Sequence, residues 1–194
     1  IGHSMGSIVL NELVRRSIDL DIQYRQIIYM AAACSIRDFQ RSVIPYLERH
    51  HETSFYNLCL HPVNELRERH AWDIVPRGSL LVWIDDMFSD PHTPIDRTLG
   101  RWENIVATSF VIPQDISRQV SLKAFACYLS GAVPGDVPQM HGDFSQMPFW
   151  KPAFWRADSA AIASSNIAPM RQKLDALRLR QHRWPASRPV WHVR

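Results

Sequence analysis

Residues 26–33 read Gln-Ile-Ile-Tyr-Met-Ala-Ala-Ala, apolar on both faces of an alternating chain. A strand without a polar face must be covered on both sides, which places it inside a mostly parallel sheet with helices above and below. The flanking residues agree with this. Over 7–18, Ile8, Val9, Leu10, Leu13, Val14 and Ile18 fall at helical spacing and predict a helix packed through that apolar face. Ser35 followed by Asp38 forms a capping box that opens a helix over 36–49, bent or interrupted at Pro45. Two more strands are predicted at 54–60 and 119–128, and a helix over 79–88 begun by Gly78-Ser79. The aromatic residues of 144–155 are predicted to pack as a final helix or turn. Strand–helix–strand alternation around buried strands gives an α/β fold, three-layered with a mostly parallel sheet. Three strands are few for such a sheet, and Ile1 runs straight into a glycine-rich motif. The expectation is therefore a partial domain over 1–155 whose N-terminal strands are missing from the chain.

Composition supports a soluble globular chain: 194 residues, 46% hydrophobic and 21% charged, which excludes disordered and collagen-like classes. No apolar run reaches the ~18–20 residues of a membrane-spanning helix, so no stable membrane insertion is expected. The net charge of +3 is uneven. Residues 170–194 hold seven basic side chains and one acid, leaving the rest of the chain mildly acidic. The segment 156–194 is accordingly expected to be a basic, poorly structured C-terminal tail. It lacks zinc-finger spacing, a helix-turn-helix signature or an aromatic RNA motif, so no nucleic-acid partner is expected. Cys34, Cys59 and Cys127 sit in apolar runs without CxxC spacing and read as buried, reduced thiols, pointing to a cytoplasmic setting. The histidines His50, His51, His61 and His70 share no metal-ligand spacing, and neither a metal nor a cofactor is expected.

Chemistry concentrates at Gly2-His3-Ser4-Met5-Gly6, a G-x-S-x-G pattern followed at once by the helix over 7–18. In a nucleophile elbow the serine occupies a strained strand-to-helix turn that exposes its hydroxyl. The turn also sets that hydroxyl at a helix N-terminus, where backbone N–H groups favour developing negative charge. Glycines two before and two after the serine are expected because crowding backbone leaves no room for a Cβ there. Among nine histidines, His141 is the best general base: it follows the last predicted strand on a loop, in Met-His-Gly-Asp-Phe.

These residues resemble the alpha/beta-hydrolase family, in which Gly-His-Ser-Met-Gly is a common elbow and the triad runs Ser…Asp/Glu…His. The resemblance covers residues 1–155 and the C-terminal half of that family's fold. It implies that the strands at 26–33, 54–60 and 119–128 are the family's sixth, seventh and eighth. It implies a nucleophile at Ser4, a base at His141 and an oxyanion donor at the backbone N–H of Met5. The acid is expected at Glu65, four residues past His61 at the end of the presumed seventh strand. Asp85 and Asp86 are its rivals if residues 80–84 form a strand. His3 and Trp83 are expected to contact substrate. Trp72, Trp83, Trp102 and Met87 either line an apolar acyl pocket or belong to the core.

The expected function is a serine hydrolase that cleaves a small carboxylic ester, or an amide or thioester, through an acyl-enzyme on Ser4. The alternative is a non-catalytic alpha/beta-hydrolase-like binding protein, since a fold does not fix a function. The 194 residues by themselves are expected to be inactive. Nothing in the sequence indicates the oligomeric state.

Overall fold

The computed structural model describes residues 1–68, 77–127 and 135–156, all within one compact unit, Ile1–Ala157. The basic tail lies outside the described residues, as do His70 and Trp72.

The fold is mixed α/β. Four strands, β1 (Gly2–His3), β2 (Gln26–Met30), β3 (Ser54–Cys59) and β4 (Val120–Ala124), form one sheet in the order β1-β2-β3-β4. Every pair is parallel, with Gly2 opposite Tyr29, Gln26 opposite Ser54 and Phe55 opposite Val120. Helix α1 (Gly6–Asp19) connects β1 to β2, and α2 (Ile36–Arg49) connects β2 to β3. Between β3 and β4 come α3 (Pro62–Arg67), α4 (Leu80–Trp83) with a π-helical continuation over Ile84–Phe88, and α5 (Trp102–Ala107). The short helix α6 (Pro152–Trp155) follows β4.

The alternation along β2 explains the two cores. Ile27 and Tyr29 join Phe39, Val43, Leu47 and Phe55 on the α1/α2 face, where Leu99, Ile105 and Ile116 also pack. Ile28 and Met30 join Leu58, Leu81, Phe125, Phe144 and Trp155 on the other face. With both faces covered, β2 is apolar from Ile27 to Met30 after its exposed first residue, Gln26.

The predicted strands are present but shorter, and β1 adds a two-residue partner for β2 that the sequence did not reveal. Strand β2 stops at Met30, because Ala31 turns into the left-handed region with φ 42°. Helix α2 keeps its predicted bounds, with Ser35 Oγ accepting from Asp38 N at 3.0 Å and Pro45 inside it. The helix predicted over 79–88 is realised as α4 and its π-helical continuation, capped by Ser79.

The buried face of α1 departs from expectation in part: Val14 is buried and Leu10 and Ile18 pack against the core as expected. Val9 and Leu13 are exposed, whereas Ser7, Asn11, Val14 and Ser17 are buried. Hydrogen bonding decides it. Asn11 donates to Asp38 at 2.6 Å and accepts from Tyr29 Oη at 2.6 Å and Ser42 Oγ at 2.7 Å. Ser17 Oγ bonds Leu13 O and Tyr24 Oη, both at 2.7 Å. A fully paired buried network of this kind fixes one packing of α1 on α2 and β2.

Gly100 shows how the 97–101 segment docks. Its N–H donates to Ala32 O at 2.9 Å, and a Cβ there would sit 2.2 Å from Ala32 N. Only glycine allows the two backbones to approach this closely.

Candidate active site

The carboxyl ends of parallel strands collect the loops that follow them, and ligands of open α/β sheets bind there. Here that edge brings together Ser4 after β1, Ala31–Ser35 after β2, the start of α3 after β3, and the loop to His141 after β4.

Ser4 has φ 52°, a left-handed conformation that costs a non-glycine residue ~1–2 kcal/mol. The strain is held from both sides of the peptide. Ser4 N donates to Met30 O at 2.9 Å, while Ser4 O accepts from Ala33 N at 3.1 Å and from Ser7 Oγ at 2.7 Å. The turn aims the hydroxyl at the loop after β4, where His141 Nε2 lies 2.8 Å from Ser4 Oγ. Met5 N and Gly6 N stand at the start of the 14-residue α1, whose first N–H groups have no intrahelical acceptor.

The two glycines of the motif differ. A Cβ on Gly2 would come within 2.8 Å of the Leu10 side chain and 3.0 Å of Gly6 O. A Cβ on Gly6, the first residue of α1, would meet nothing within 4 Å, so the crowding expected there is absent.

His141 is buried, and its own peptide is gripped at both ends. His141 N donates to Glu68 Oε2 at 3.0 Å. His141 O is 3.0 Å from His3 Nε2, and the two imidazoles lie 5.2 Å apart. Just upstream, Gln139 N and Met140 N both donate to the Asp143 carboxylate at 2.9 Å. Asn64 Nδ2 reaches Gln139 Oε1 at 3.1 Å. Asn64 and Glu68 are four residues apart, so this short stretch of chain holds the histidine loop at two points.

The candidate acids stand in different surroundings. Glu65 is buried, and its carboxylate takes the Ser79 hydroxyl; among the described residues its other oxygen has no partner, and no hydrogen bond joins it to His141. Burial pushes the Glu65 carboxyl up to about 7, against the opposing Ser79 bond and Arg101 charge. Asp85 is consumed in fixing the 98–104 segment: it accepts from Thr98 N at 2.8 Å, Arg101 Nη1 at 3.1 Å and Asn104 Nδ2 at 2.7 Å. Asp86 is exposed and faces Arg97 at 3.5 Å. Glu68, which sequence spacing did not single out, accepts the main-chain N–H of His141. It lies just beyond the last residue of α3, and only the tertiary contact with the loop after β4 distinguishes it from Glu65.

Trp83 and Trp102 are half-buried, and Met87 is exposed. A cavity of about 290 Å³ opens between α1 and α2, lined by Ile8, Ala33, Cys34, Ser35, Arg37, Asp38 and Arg41. It adjoins the elbow through Ala33, whose N–H bonds Ser4 O. Burial pushes the Cys34 thiol up to about 11, which favours its protonated form. Cys59 and Cys127 are likewise buried and unbridged. Among the described residues no group of three or more His, Cys, Asp or Glu could hold a metal ion, and no helix is long and apolar enough to cross a membrane.

No family model, curated protein or solved structure matches the chain.

Proposed function

We propose that the chain is an alpha/beta-hydrolase-type serine hydrolase, cleaving a carboxylic ester, or an amide or thioester, through an acyl-enzyme on Ser4. The observation that carries this reading is the 2.8 Å contact between Ser4 Oγ, on a left-handed turn, and His141 Nε2. The sheet order β1-β2-β3-β4 also supports it, because the resemblance requires the nucleophile strand and the three after it to be neighbours in that order.

The steps follow from the groups present. His141 Nε2 takes the Ser4 proton as the hydroxyl oxygen attacks the substrate carbonyl, which requires the imidazole's own proton on Nδ1. The developing oxyanion is met by Met5 N–H at the start of α1, with the helix dipole adding to the donor. The imidazolium then returns its proton to the leaving group. Water, deprotonated by the same imidazole, releases the acyl group. Glu68 fixes the main chain of His141 through the bond from its N–H. Glu65, with a carboxyl titrating near neutrality, is a poor permanent anion.

The test uses the full-length natural protein and a fluorophosphonate probe. The parent should label with unit stoichiometry, Ser4→Ala should not label, and His141→Gln should label at least ~10³-fold more slowly. Persistent labelling of Ser4→Ala, or none of the parent, overturns the assignment.

A further inference from the structure

We infer that His3 is a positioning residue: its ring N–H holds the carbonyl of His141, so the residue preceding the nucleophile sets where the base stands. This rests on the hydrolase reading above and adds to it a second function for the elbow.

His3 Nε2 lies 3.0 Å from His141 O, while Ser4 Oγ, one residue on, lies 2.8 Å from His141 Nε2. A carbonyl oxygen only accepts, so Nε2 of His3 must carry the proton. The opposite end of the same residue is fixed by Glu68 Oε2 on His141 N at 3.0 Å. With its N–H and C=O both bound, the His141 main chain is held at both ends, which sets the point from which its ring reaches Ser4. The His3 ring is itself wedged against Phe144, with centroids 5.8 Å apart, and is half-buried. Burial lowers its pKa, which favours the neutral ring. A neutral ring in this place avoids setting a second cation 5.2 Å from His141 when the latter takes up the serine proton. The donor nitrogen of His3 is thereby committed to the protein.

Two measurements test this on the full-length protein. Long-range ¹H–¹⁵N correlation spectra of the imidazoles should show the neutral His3 ring protonated at Nε2; a ring protonated at Nδ1 alone overturns the inference without touching the hydrolase reading. In kinetics, His3→Gln puts an amide N–H near the position of Nε2, while His3→Leu keeps bulk without a donor. With a p-nitrophenyl ester, His3→Leu should lose about tenfold or more in kcat with KM within about twofold, and fluorophosphonate labelling should slow in parallel. His3→Gln should stay within about threefold of the parent. Equal rates for all three proteins overturn the inference, and so does equal slowing of both variants, since the donor then fails to rescue. A parent that never labels overturns the hydrolase reading itself.

Discussion

Ser4 Oγ and His141 Nε2 stand 2.8 Å apart although 137 residues separate them along the chain. The pair forms because β1 and β4 end at the same edge of one parallel sheet, and because each member is held through its backbone. Ser4 is fixed by Met30 and Ala33, His141 by Glu68 and His3.

The left-handed turn at Ser4 should be measurable as stored strain. Ser4→Ala keeps a Cβ at φ 52° and retains the cost, whereas Ser4→Gly relieves it. After the extra chain entropy of glycine, Ser4→Gly should be more stable than Ser4→Ala by about 0.5–1 kcal/mol. Urea titrations of both inactive variants compare them, and a less stable glycine variant would refute the strain.

Glu65 should make stability depend on pH. Its folded carboxyl titrates at about 7, above the ordinary glutamate value, so the folded state binds the proton more tightly than the unfolded chain. That contribution is fully present below about pH 4.5 and is lost as the pH rises through about 7. The change amounts to about 3 kcal/mol at most. Glu65→Gln keeps an acceptor for Ser79 and removes the titration, so unfolding midpoints of variant and parent should diverge between pH 5 and 8, the variant being the more stable at the alkaline end. Parallel pH profiles would count against the buried, titrating carboxyl.

Asp85 and Asp86 should separate cleanly. Asp85→Ala leaves the buried Arg101 without its main partner and strips Thr98 and Asn104 of an acceptor, a loss of about 3–5 kcal/mol. Asp86→Ala removes an exposed ion pair with Arg97 and should change stability by less than about 0.5 kcal/mol. Asp86→Ala should also label with fluorophosphonate at the parental rate; a large drop would make Asp86 part of the machinery after all.

Three glycines make a graded series. Gly100→Ala drives a Cβ into the backbone of Ala31 and Ala32 and should prevent native packing or cost more than ~3 kcal/mol. Gly2→Ala meets a movable Leu10 side chain and a carbonyl, and should cost less. Gly6→Ala meets nothing and, lying in α1, should be neutral or stabilising by up to about 1 kcal/mol. Thermal melts of the three variants give the order directly.

Much of the fold is written locally. The two-sided apolar run at 26–33 needs a covered parallel strand whatever surrounds it, and Ser35 with Asp38 caps α2 through atoms three residues apart. The elbow, too, is a local pattern, because a glycine-flanked serine ahead of a helix implies the turn. What depended on distant partners was not legible. The apolar spacing of α1 located Val14, Leu10 and Ile18 on the core, but it also pointed to Val9 and Leu13, whereas the buried side took in Ser7, Asn11 and Ser17, with Asn11 and Ser17 paired to Asp38, Tyr29, Ser42 and Tyr24 from elsewhere in the chain. Helices α3 and α5 are six residues each, too short to show a period. The acid beside His141 was decided in the same way. Glu65 and Glu68 lie three residues apart with similar neighbours, and the approach of the loop after β4 brings Glu68 to His141 while burial leaves Glu65 with Ser79. Sequence alone determined the strand, the cap and the elbow, because each is set by residues within one turn or one alternation. Tertiary structure decided which carboxylate holds the main chain of His141 and which polar residues of α1 are buried, because both depend on hydrogen bonds between segments far apart in the chain.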